Sequence, residues 1–384
     1  MSKEITPLYI LEAHKGTIVS ITQPFSNSDF ILTLSNDKFV LLWNISLGNL
    51  INEICNDAAP TKLFVFPKLG FLLIPKWNNS FSLIDLSIFN LSTKHIIDIY
   101  FPENEINFPG HKSWILSAIE LQNEDKFVTC GRDHTLRVWN ILSTNCELIL
   151  EGHKENVNYL IELNDGIISS CSSDGFIKLW NLNYDINDEN DNEIYEKFNG
   201  FDKNKSVMTI YDGELPVFQI EKLKDNCLIS RNESPKLKIW NYISGKLVQI
   251  LDDHYTNVIC LKILKNGDII TGSYDHTAKI WKKNKEKPEF TLEGHDFTVY
   301  EICECKNGNI LTASGDGTIK LWDIKTKKCL QTFIGHTDYV VSLHCTKGNE
   351  VIKKYFFQYN IIKNIKILYY FLIFIDFILM LYNK

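Results

Sequence analysis

The sequence of 384 residues lacks the features that several functional classes require. It has no basic excess, because 40 Lys and Arg residues stand against 47 Asp and Glu residues, a formal net charge of -7. Non-specific nucleic-acid binding needs a clustered basic surface, so this composition disfavours it. The N-terminal segment MSKEITPLYI has no apolar signal sequence. There is also no Walker-type phosphate loop, no G-x-S-x-G elbow and no H-E-x-x-H motif, which leaves the common catalytic classes without support.

Cysteine pairs with the spacing of metal ligands are absent as well. Cys303 and Cys305 fall on one face of a predicted strand, but zinc and redox sites typically carry C-x-x-C pairs. We therefore predict reduced core thiols in a cytoplasmic or nuclear protein, with no metal and no cofactor. The ten scattered cysteines are Cys55, Cys130, Cys146, Cys171, Cys227, Cys260, Cys303, Cys305, Cys329 and Cys345.

What the sequence does contain is one polar pattern that occurs five times. In each copy an Asp lies six residues before a Trp, a Ser or Thr lies four residues before the Asp, and a His lies 21 to 23 residues before the Asp. A fixed pattern at a fixed spacing indicates a repeat architecture. The five sets are His14, Thr33, Asp37, Trp43; His111, Thr129, Asp133, Trp139; His153, Ser170, Asp174, Trp180; His254, Thr271, Asp275, Trp281; and His295, Thr312, Asp316, Trp322.

The spacing of the tryptophans adds two degenerate repeats. Trp139 and Trp180 are 41 residues apart, and counting 41 from Trp43 reaches Ile84, where a second repeat ends. The step from Trp180 to Trp240 is longer by 19, and the surplus is an Asn-, Asp- and Glu-rich segment, 183–205, predicted to be a solvated loop between blades. The repeats thus end near Trp43, Ile84, Trp139, Trp180, Trp240, Trp281 and Trp322, followed by a partial repeat over 329–348.

The local pattern within a repeat predicts four short strands. In the repeat ending at Trp322, the runs 290–292, 299–303, 309–314 and 318–322 are separated by turn-forming residues such as Gly315-Asp-Gly317. No window of ten or more residues in the repeats sustains a helical apolar stripe, which disfavours βαβ folds and helical solenoids.

The Gly-His, Asp and Trp-Asp pattern resembles the WD40 repeat family over roughly residues 8 to 348. The resemblance implies an all-β propeller of seven blades over residues 1–350, with a truncated eighth repeat and a non-propeller tail, 351–384. It implies that each repeat supplies strand d of one blade and strands a, b and c of the next. It also implies a buried chain of hydrogen bonds, in which the Asp accepts from the His ring, the His meets the hydroxyl, and the hydroxyl accepts from the indole N–H.

A His near an Asp and a hydroxyl also has the composition of a catalytic triad. Because the same set recurs five times in one chain, and five identical active sites in one ring make no functional sense, we interpret the sets as structural staples for the blades. The protein is then predicted not to be an enzyme. An enzyme would need a further acidic or His cluster in the channel, and the sequence shows none.

The loops between strands d and a and between strands b and c should share one rim of the ring, where family members commonly bind partners. Exposed aromatic and Arg residues are the usual anchors of interfaces, whereas the alternative is that these are ordinary loop residues. Trp114, Arg132, Tyr255 and Tyr274 are the favoured hot spots. The predicted partner-binding residues are Lys15, Lys112, Trp114, Arg132, Lys154, Tyr255, Tyr274, Phe297 and Tyr339.

Ring closure and the tail leave alternatives open. Either the strand 8–14 completes the last blade, or the chain continues into an eighth repeat. Residues 351–384 contain no Gly, Pro, Ser, Thr, Ala, Glu or Arg, which favours translated non-coding sequence such as an intron. The competing hypothesis is a membrane anchor over 367–382, a 16-residue apolar run that contains Asp376, where a span needs about 20 residues.

The sequence therefore predicts a non-catalytic scaffold or substrate-receptor subunit of a multiprotein complex. Its partners would be other proteins or peptides, with acidic ones favoured by the lysines, and not a small molecule. The family resemblance implies several processes, among them the ubiquitin pathway, and the sequence does not choose. The alternatives are a membrane-tethered adaptor and a nucleic-acid- or chromatin-associated propeller.

Overall fold

The computed structural model describes residues 13–343 except 17, 25–29, 45–46, 56, 60, 87–104, 109, 123–124, 144, 165, 183–204, 306, 335–338 and 342. Within these residues all 28 elements are β-strands. They form seven four-stranded sheets in which each strand pairs with its neighbours in sequence. Every pairing is antiparallel, as in β1 with β2 and in β27 with β28. The prediction of an all-β, seven-bladed propeller is confirmed.

The strands are short, and each blade uses four in chain order. Those of blades 1 to 4 are β1 (Ile18–Thr22), β2 (Phe30–Ser35), β3 (Val40–Asn44), β4 (Asn49–Cys55), β5 (Phe64–Phe66), β6 (Phe71–Pro75), β7 (Phe81–Asp85), β8 (Glu105–Phe108), β9 (Ile115–Glu120), β10 (Lys126–Gly131), β11 (Leu136–Asn140), β12 (Cys146–Leu150), β13 (Val157–Asn164), β14 (Ile167–Ser172), β15 (Phe176–Asn181) and β16 (Met208–Tyr211). Those of blades 5 to 7 are β17 (Val217–Lys222), β18 (Cys227–Asn232), β19 (Lys236–Asn241), β20 (Lys246–Asp252), β21 (Val258–Ile263), β22 (Ile269–Ser273), β23 (Ala278–Trp281), β24 (Phe290–Leu292), β25 (Val299–Glu304), β26 (Ile310–Ser314), β27 (Ile319–Asp323) and β28 (Lys328–Phe333).

The turn between the second and third strands is built in the same way in most blades. Its Asp accepts a hydrogen bond from the backbone N–H two residues later, as Asp174 Oδ1 does from Phe176 at 3.0 Å. The residue between them has a positive φ, 80° at Gly175 and 65° at His134. An Asx turn followed by a left-handed residue reverses the chain tightly. This geometry places the residue before the Asp at the tip of the blade.

Six apolar clusters hold the blades together, and each joins two neighbours. Val258 and Leu261 of blade 6 pack with Ile229 and Leu237 of blade 5 around Trp281. The equivalent cluster between blades 6 and 7 contains Val299, Ile302 and Trp322. Because the first strands of adjacent blades contact each other, as β13 contacts β17 and β21 contacts β25, they lie innermost and line the axis.

The partial repeat 329–348 divides between two places. Its first part lies in β28, which pairs with β27 in the register Ile319 with Phe333 and supplies the fourth strand of blade 7. That place therefore belongs to β28 and not to the N-terminal segment 8–14. Val340 and Leu343 pack on Ile319 and Phe333 of blade 7. They lie 41 residues after Val299 and Ile302 of β25, so they are equivalent in the repeat to residues of a first strand. They pack on blade 7 as Val299 and Ile302 pack on blade 6. Residues 1–12 lie outside the described residues.

The prediction that segment 183–205 connects two blades is wrong. It joins β15 to β16, which pair within blade 4. The physical reason is the offset between repeat and blade: the Trp ends the third strand, so an insertion after it falls before the fourth strand of the same blade. Nearly all of this segment, and the whole tail 351–384, lies outside the described residues. Within the described residues there is no helix long and apolar enough to span a bilayer.

The cysteines follow the expected core role with one exception. Eight are free thiols, and those at 130, 171, 227, 260 and 305 are buried. Burial raises the pKa of the Cys260 thiol to about 12, which keeps it protonated and unreactive. Cys303, which we expected to be reduced, is disulfide-bonded.

Candidate functional site

The four side chains of each predicted set meet in one buried chain of hydrogen bonds, hereafter a tetrad. In blade 4, His153 Nδ1 lies 2.9 Å from Asp174 Oδ2, His153 Nε2 lies 2.8 Å from Ser170 Oγ, and Trp180 Nε1 donates to the same hydroxyl at 2.9 Å. The other four sets repeat this arrangement, with His-to-hydroxyl distances of 2.7 to 2.8 Å. The structure therefore brings together all twenty side chains that the spacing singled out, five times over.

The hydrogen-bond donors and acceptors of a tetrad can be matched in only one arrangement. The Ser170 hydroxyl accepts from the indole of Trp180 and has a single hydrogen, which it donates to His153 Nε2. The ring must then carry its hydrogen on Nδ1 and donate it to the Asp174 carboxylate. Each tetrad therefore uses a neutral imidazole and an ionised carboxylate.

Electrostatics at the tetrads favour the same assignment. Burial lowers the pKa of His153 below its ordinary value, although the neighbouring Asp174 opposes the shift. Burial would raise the pKa of Asp174, but hydrogen bonds from His153 and from two backbone amides outweigh it and lower the pKa to about 2. The pKa values of His14 and His111 are lowered by burial in the same way.

Each tetrad Asp also fixes the loop that precedes its blade. The backbone N–H of the residue after the His donates to this carboxylate, at 2.7 Å from Lys15 and 2.9 Å from Lys112 and Lys154. Tyr255 and Asp296 do the same at 3.1 Å. The loop between strands d and a is thereby tied to the loop between strands b and c. The residues on both loops project from one rim.

Contact with the tetrad Trp ring explains why a glycine precedes the His. A Cβ added at Gly110 would lie 2.5 Å from the Trp139 ring, so only glycine lets the loop lie against the indole.

A tetrad cannot act as a catalytic triad. The hydroxyls of Thr33, Thr129, Ser170, Thr271 and Thr312 belong to residues with 0% exposure. A nucleophile must reach the substrate, and here the oxygen is enclosed between an indole and an imidazole. The recurring His, Asp and hydroxyl sets are therefore structural.

Blade 5 holds its loops with a different group, which the sequence did not predict. Asp212, 2% exposed, accepts from Trp240 Nε1 at 3.0 Å and from Asn232 Nδ2 at 2.8 Å. Ser230 donates to the same carboxylate, and the Lys238 ammonium lies 3.6 Å from it. A carboxylate with a lysine thus replaces the imidazole and the turn Asp.

Blade 2 lacks the tetrad residues, but other side chains occupy the equivalent positions. Ile84, at the position of the Trp, is buried in the cluster between blades 1 and 2. Asn78 takes the place of the turn Asp and accepts from the Ser80 backbone N–H at 3.1 Å. Trp77 therefore occupies the tip position that Arg132 holds in blade 3. Counting back from Ile84 would have identified Trp77, but the degenerate repeat offers no Asp from which to count.

Four side chains from blades 1 to 3 form a continuous stack on the rim, hereafter the Lys-Trp-Trp-Arg stack. Lys38 Nζ lies 5.6 Å from the ring centroid of Trp77, the two indoles meet edge to face at 5.0 Å and 90°, and Arg132 Cζ lies 4.9 Å from the Trp114 centroid. Trp77 is 41% exposed. The predicted residues Trp114 and Arg132 are thus together, and their partners Lys38 and Trp77 are the ones that sequence reasoning missed.

The predicted aromatic residues of blades 6 and 7 form a second rim cluster in part. Phe297 stacks between His276 at 5.7 Å and Tyr339 at 5.4 Å. Tyr255 is 88% exposed on its loop, and Tyr274 is half-buried. Lys112 and Lys154 are exposed on the loops that precede blades 3 and 4.

Charged side chains also meet inside the channel. Lys262 of blade 6 pairs with Glu301 of blade 7 at 3.3 Å. Lys62 lies just before β5 of blade 2. Burial and the charge of Lys262 lower the pKa of Lys62, while the charges of Glu301 and Glu221 act to raise it. These interactions cross the ring. No group of three or more His, Cys, Asp or Glu within the described ranges could hold a metal ion.

Comparison with known proteins gives one family. The family model of the WD domain, G-beta repeat, matches residues 5–44, 103–140, 144–181, 245–282 and 286–323, together half of the chain. The chain is 27% identical over 150 residues to Mitochondrial division protein 1 of Schizosaccharomyces pombe, which covers 38% of this chain and 22% of that protein. The match thus spans about a fifth of that relative's length.

Two solved structures are similar in fold. The computationally designed Ika8 protein superposes with a TM-score of 0.69 at 20% identity, over 88% of this chain and 93% of that one. The WD40 beta propeller domain of Doa1 superposes with a TM-score of 0.58 at 17% identity, over 84% of this chain and 97% of that domain.

Proposed function

The chain belongs to the WD40 family of G-beta repeats, and we propose that it is a non-catalytic docking subunit that binds partner proteins on the rim formed by its d-to-a and b-to-c loops. The observation that carries this proposal is the use of the tetrads. Buried polar groups cost free energy unless they are hydrogen-bonded, and here the bonds that satisfy each set tie one rim loop to another. Loops held in this way present their outer side chains in fixed positions.

The side chains of the rim have the composition of an interface, with Trp77 and Tyr255 exposed and Trp114 and Arg132 half-buried. Trp77, Trp114, Arg132 and Tyr255 are the residue types that supply most binding energy in protein complexes. Because the loops are ordered before a partner arrives, little conformational entropy is lost on binding. The relative from Schizosaccharomyces pombe is named for a cellular process and not for a reaction, which also favours a non-catalytic role.

The test is affinity purification of the full chain beside a variant with Trp114→Ala, Arg132→Ala and Tyr274→Ala. We expect the variant to lose partners that the unchanged chain retains. A matched control carries Leu142→Ala and Lys325→Ala on exposed turns between third and fourth strands, which lie on the opposite rim. This control should keep every partner.

Circular dichroism and thermal unfolding must show that the rim variant remains folded. A folded rim variant that captures the same partners as the unchanged chain would overturn the assignment to this rim. Loss of partners from the opposite-rim control would move the docking surface to that side.

A further inference from the structure

We infer that the Lys-Trp-Trp-Arg stack is an anchoring subsite for an acidic peptide segment of a partner protein, held by carboxylates against the cations of blades 1 to 3. This inference rests on the proposed docking role and names the chemistry of the ligand. Its four stacked residues are Lys38, Trp77, Trp114 and Arg132.

The cations at this part of the rim are unpaired. Lys15, Lys38, Lys112 and Arg132 form no ion pair with any residue in the described part of the chain, although surface lysines and arginines elsewhere do, such as Lys236 with Asp252 at 2.8 Å. The Nε atom of Arg132 is buried with no hydrogen-bond partner among the described residues. A carboxylate ligand would supply acceptors for the lysine ammonium groups and for the outer N–H groups of the Arg132 guanidinium.

The nearby acids are already engaged. Asp37 accepts from His14 and from the Lys15 and Phe39 backbone amides, and Asp133 binds His111 and lies 3.7 Å from Arg137. Asp57, half-exposed, pairs with Lys76 at 3.7 Å. In a chain of net charge -7, blades 1 to 3 therefore carry a local excess of free positive charge on the rim. Opposite charge on a partner is the complement of this surface.

The stack is ordered before binding. The backbone N–H of Arg132 donates to the Trp114 carbonyl at 2.9 Å, and a Cβ at Gly131 would lie 2.3 Å from that oxygen, so glycine is required between the two loops. Asn79 Nδ2 donates to the Lys112 carbonyl at 3.2 Å and ties the blade 2 turn to the blade 3 loop. A guanidinium held over an indole presents its outer N–H groups in the forked geometry that suits a carboxylate.

A peptide is favoured over single-stranded nucleic acid. Nucleic-acid sites of this type offer open aromatic faces on which bases stack. Here each indole has a cation over one face, and the two rings also contact each other. No indole face is left free on both sides for a base, whereas the exposed part of Trp77 is open to an apolar side chain beside the carboxylates.

The experiment selects ligands for the full chain from a displayed library of random short peptides, and then measures the selected peptides by fluorescence anisotropy. We expect enrichment of peptides rich in Asp and Glu, whose binding weakens as salt is raised. Arg132→Gln and Lys38→Gln, which remove one charge each, should weaken binding by about tenfold and severalfold respectively. Lys325→Gln, on the opposite rim, is the matched control and should bind as tightly as the unchanged chain.

Three outcomes would overturn the inference. Selection of peptides without an acidic bias, or of none, would leave the docking rim intact but remove the acidic ligand, provided that the rim variant still loses its natural partners. Equal weakening by Lys325→Gln would show non-specific charge attraction. Tighter binding of an oligothymidylate than of the acidic peptides would assign the stack to nucleic acid.

Discussion

Blades 4 and 5 are neighbours that hold their rim loops with different side chains. In blade 4 a neutral imidazole relays between Ser170 and Asp174, and the charge of the carboxylate remains near the surface turn. In blade 5 a single carboxylate, Asp212, replaces that relay and lies 3.6 Å from the Lys238 ammonium. The comparison shows that the blade requires an acceptor at this place and not a histidine as such. It also shows that blade 5 concentrates more polar partners on one group.

Removal of Asp212 should have the largest effect on stability. Asp212→Ala leaves Trp240, Ser230 and Asn232 without their shared acceptor and leaves Lys238 without its counterion. We expect the free energy of unfolding to fall by about 3 to 5 kcal/mol, the usual cost of removing one member of a buried charged network. Urea unfolding followed by tryptophan fluorescence measures this. A loss no larger than that of a surface variant such as Lys325→Ala would contradict the account of blade 5.

The matching change in blade 4 should cost less. His153→Ala removes the relay, but Ser170 still accepts from Trp180 and Asp174 still accepts from the Lys154 and Phe176 backbone amides. We expect a loss of about 2 kcal/mol, the cost of the unpaired hydroxyl and the small void. The same unfolding assay ranks the two variants. If His153→Ala were as damaging as Asp212→Ala, the two blades would not differ as proposed.

We also expect the free energy of unfolding to depend on pH through the tetrad histidines, which blade 5 lacks. The pKa values of His14, His111 and His153 are lowered by burial, so these histidines bind protons near pH 6.5 in the unfolded chain but stay neutral in the folded protein. Stability is therefore full above pH 6.5 and falls as the pH drops below it, by up to about 1 kcal/mol per pH unit for each such histidine. The contribution of Asp174 is lost further down, as the pH falls from about 4 towards its folded pKa of about 2.

Unfolding free energies at pH 7 and at mildly acidic pH test this prediction. A His153→Gln variant should show a smaller loss on acidification, because one of the three histidines is gone. An unchanged pH dependence in that variant would mean that the tetrad histidines are not the source.

The part of the fold that depends on spacing could be predicted from the sequence. Five tetrads were found because His, hydroxyl, Asp and Trp recur at fixed separations, and Ile84 was placed by the same count. The role of Asp212 could not be predicted from spacing, because its carboxylate replaces both the His and the turn Asp, which blade 5 lacks. The charges of Glu221 and Glu301 act on Lys62 although these residues lie far from it in the chain, and no local sequence pattern predicts that influence.

The docking residues were predictable to a lesser degree. Trp114 and Arg132 follow from their positions beside a tetrad His and Asp. Lys38 and Trp77 complete the stack only because blades 1, 2 and 3 are adjacent in space, and Trp77 belongs to a repeat without the signature. Whether an exposed loop side chain contacts its neighbour depends on the orientation of the blades, which the spacing of the tetrads does not specify.

The apolar clusters that join each blade only to its neighbours have a consequence for how partners could share the ring. The Lys-Trp-Trp-Arg stack on blades 1 to 3 and the rim cluster of His276, Phe297 and Tyr339 on blades 6 and 7 consist of different side chains. Occupation of one should leave the affinity of the other unchanged, since sites without shared contacts behave additively. A partner that carries two motifs on one flexible linker would then gain avidity from geometry alone, with an effective concentration set by the linker and not by any communication through the ring.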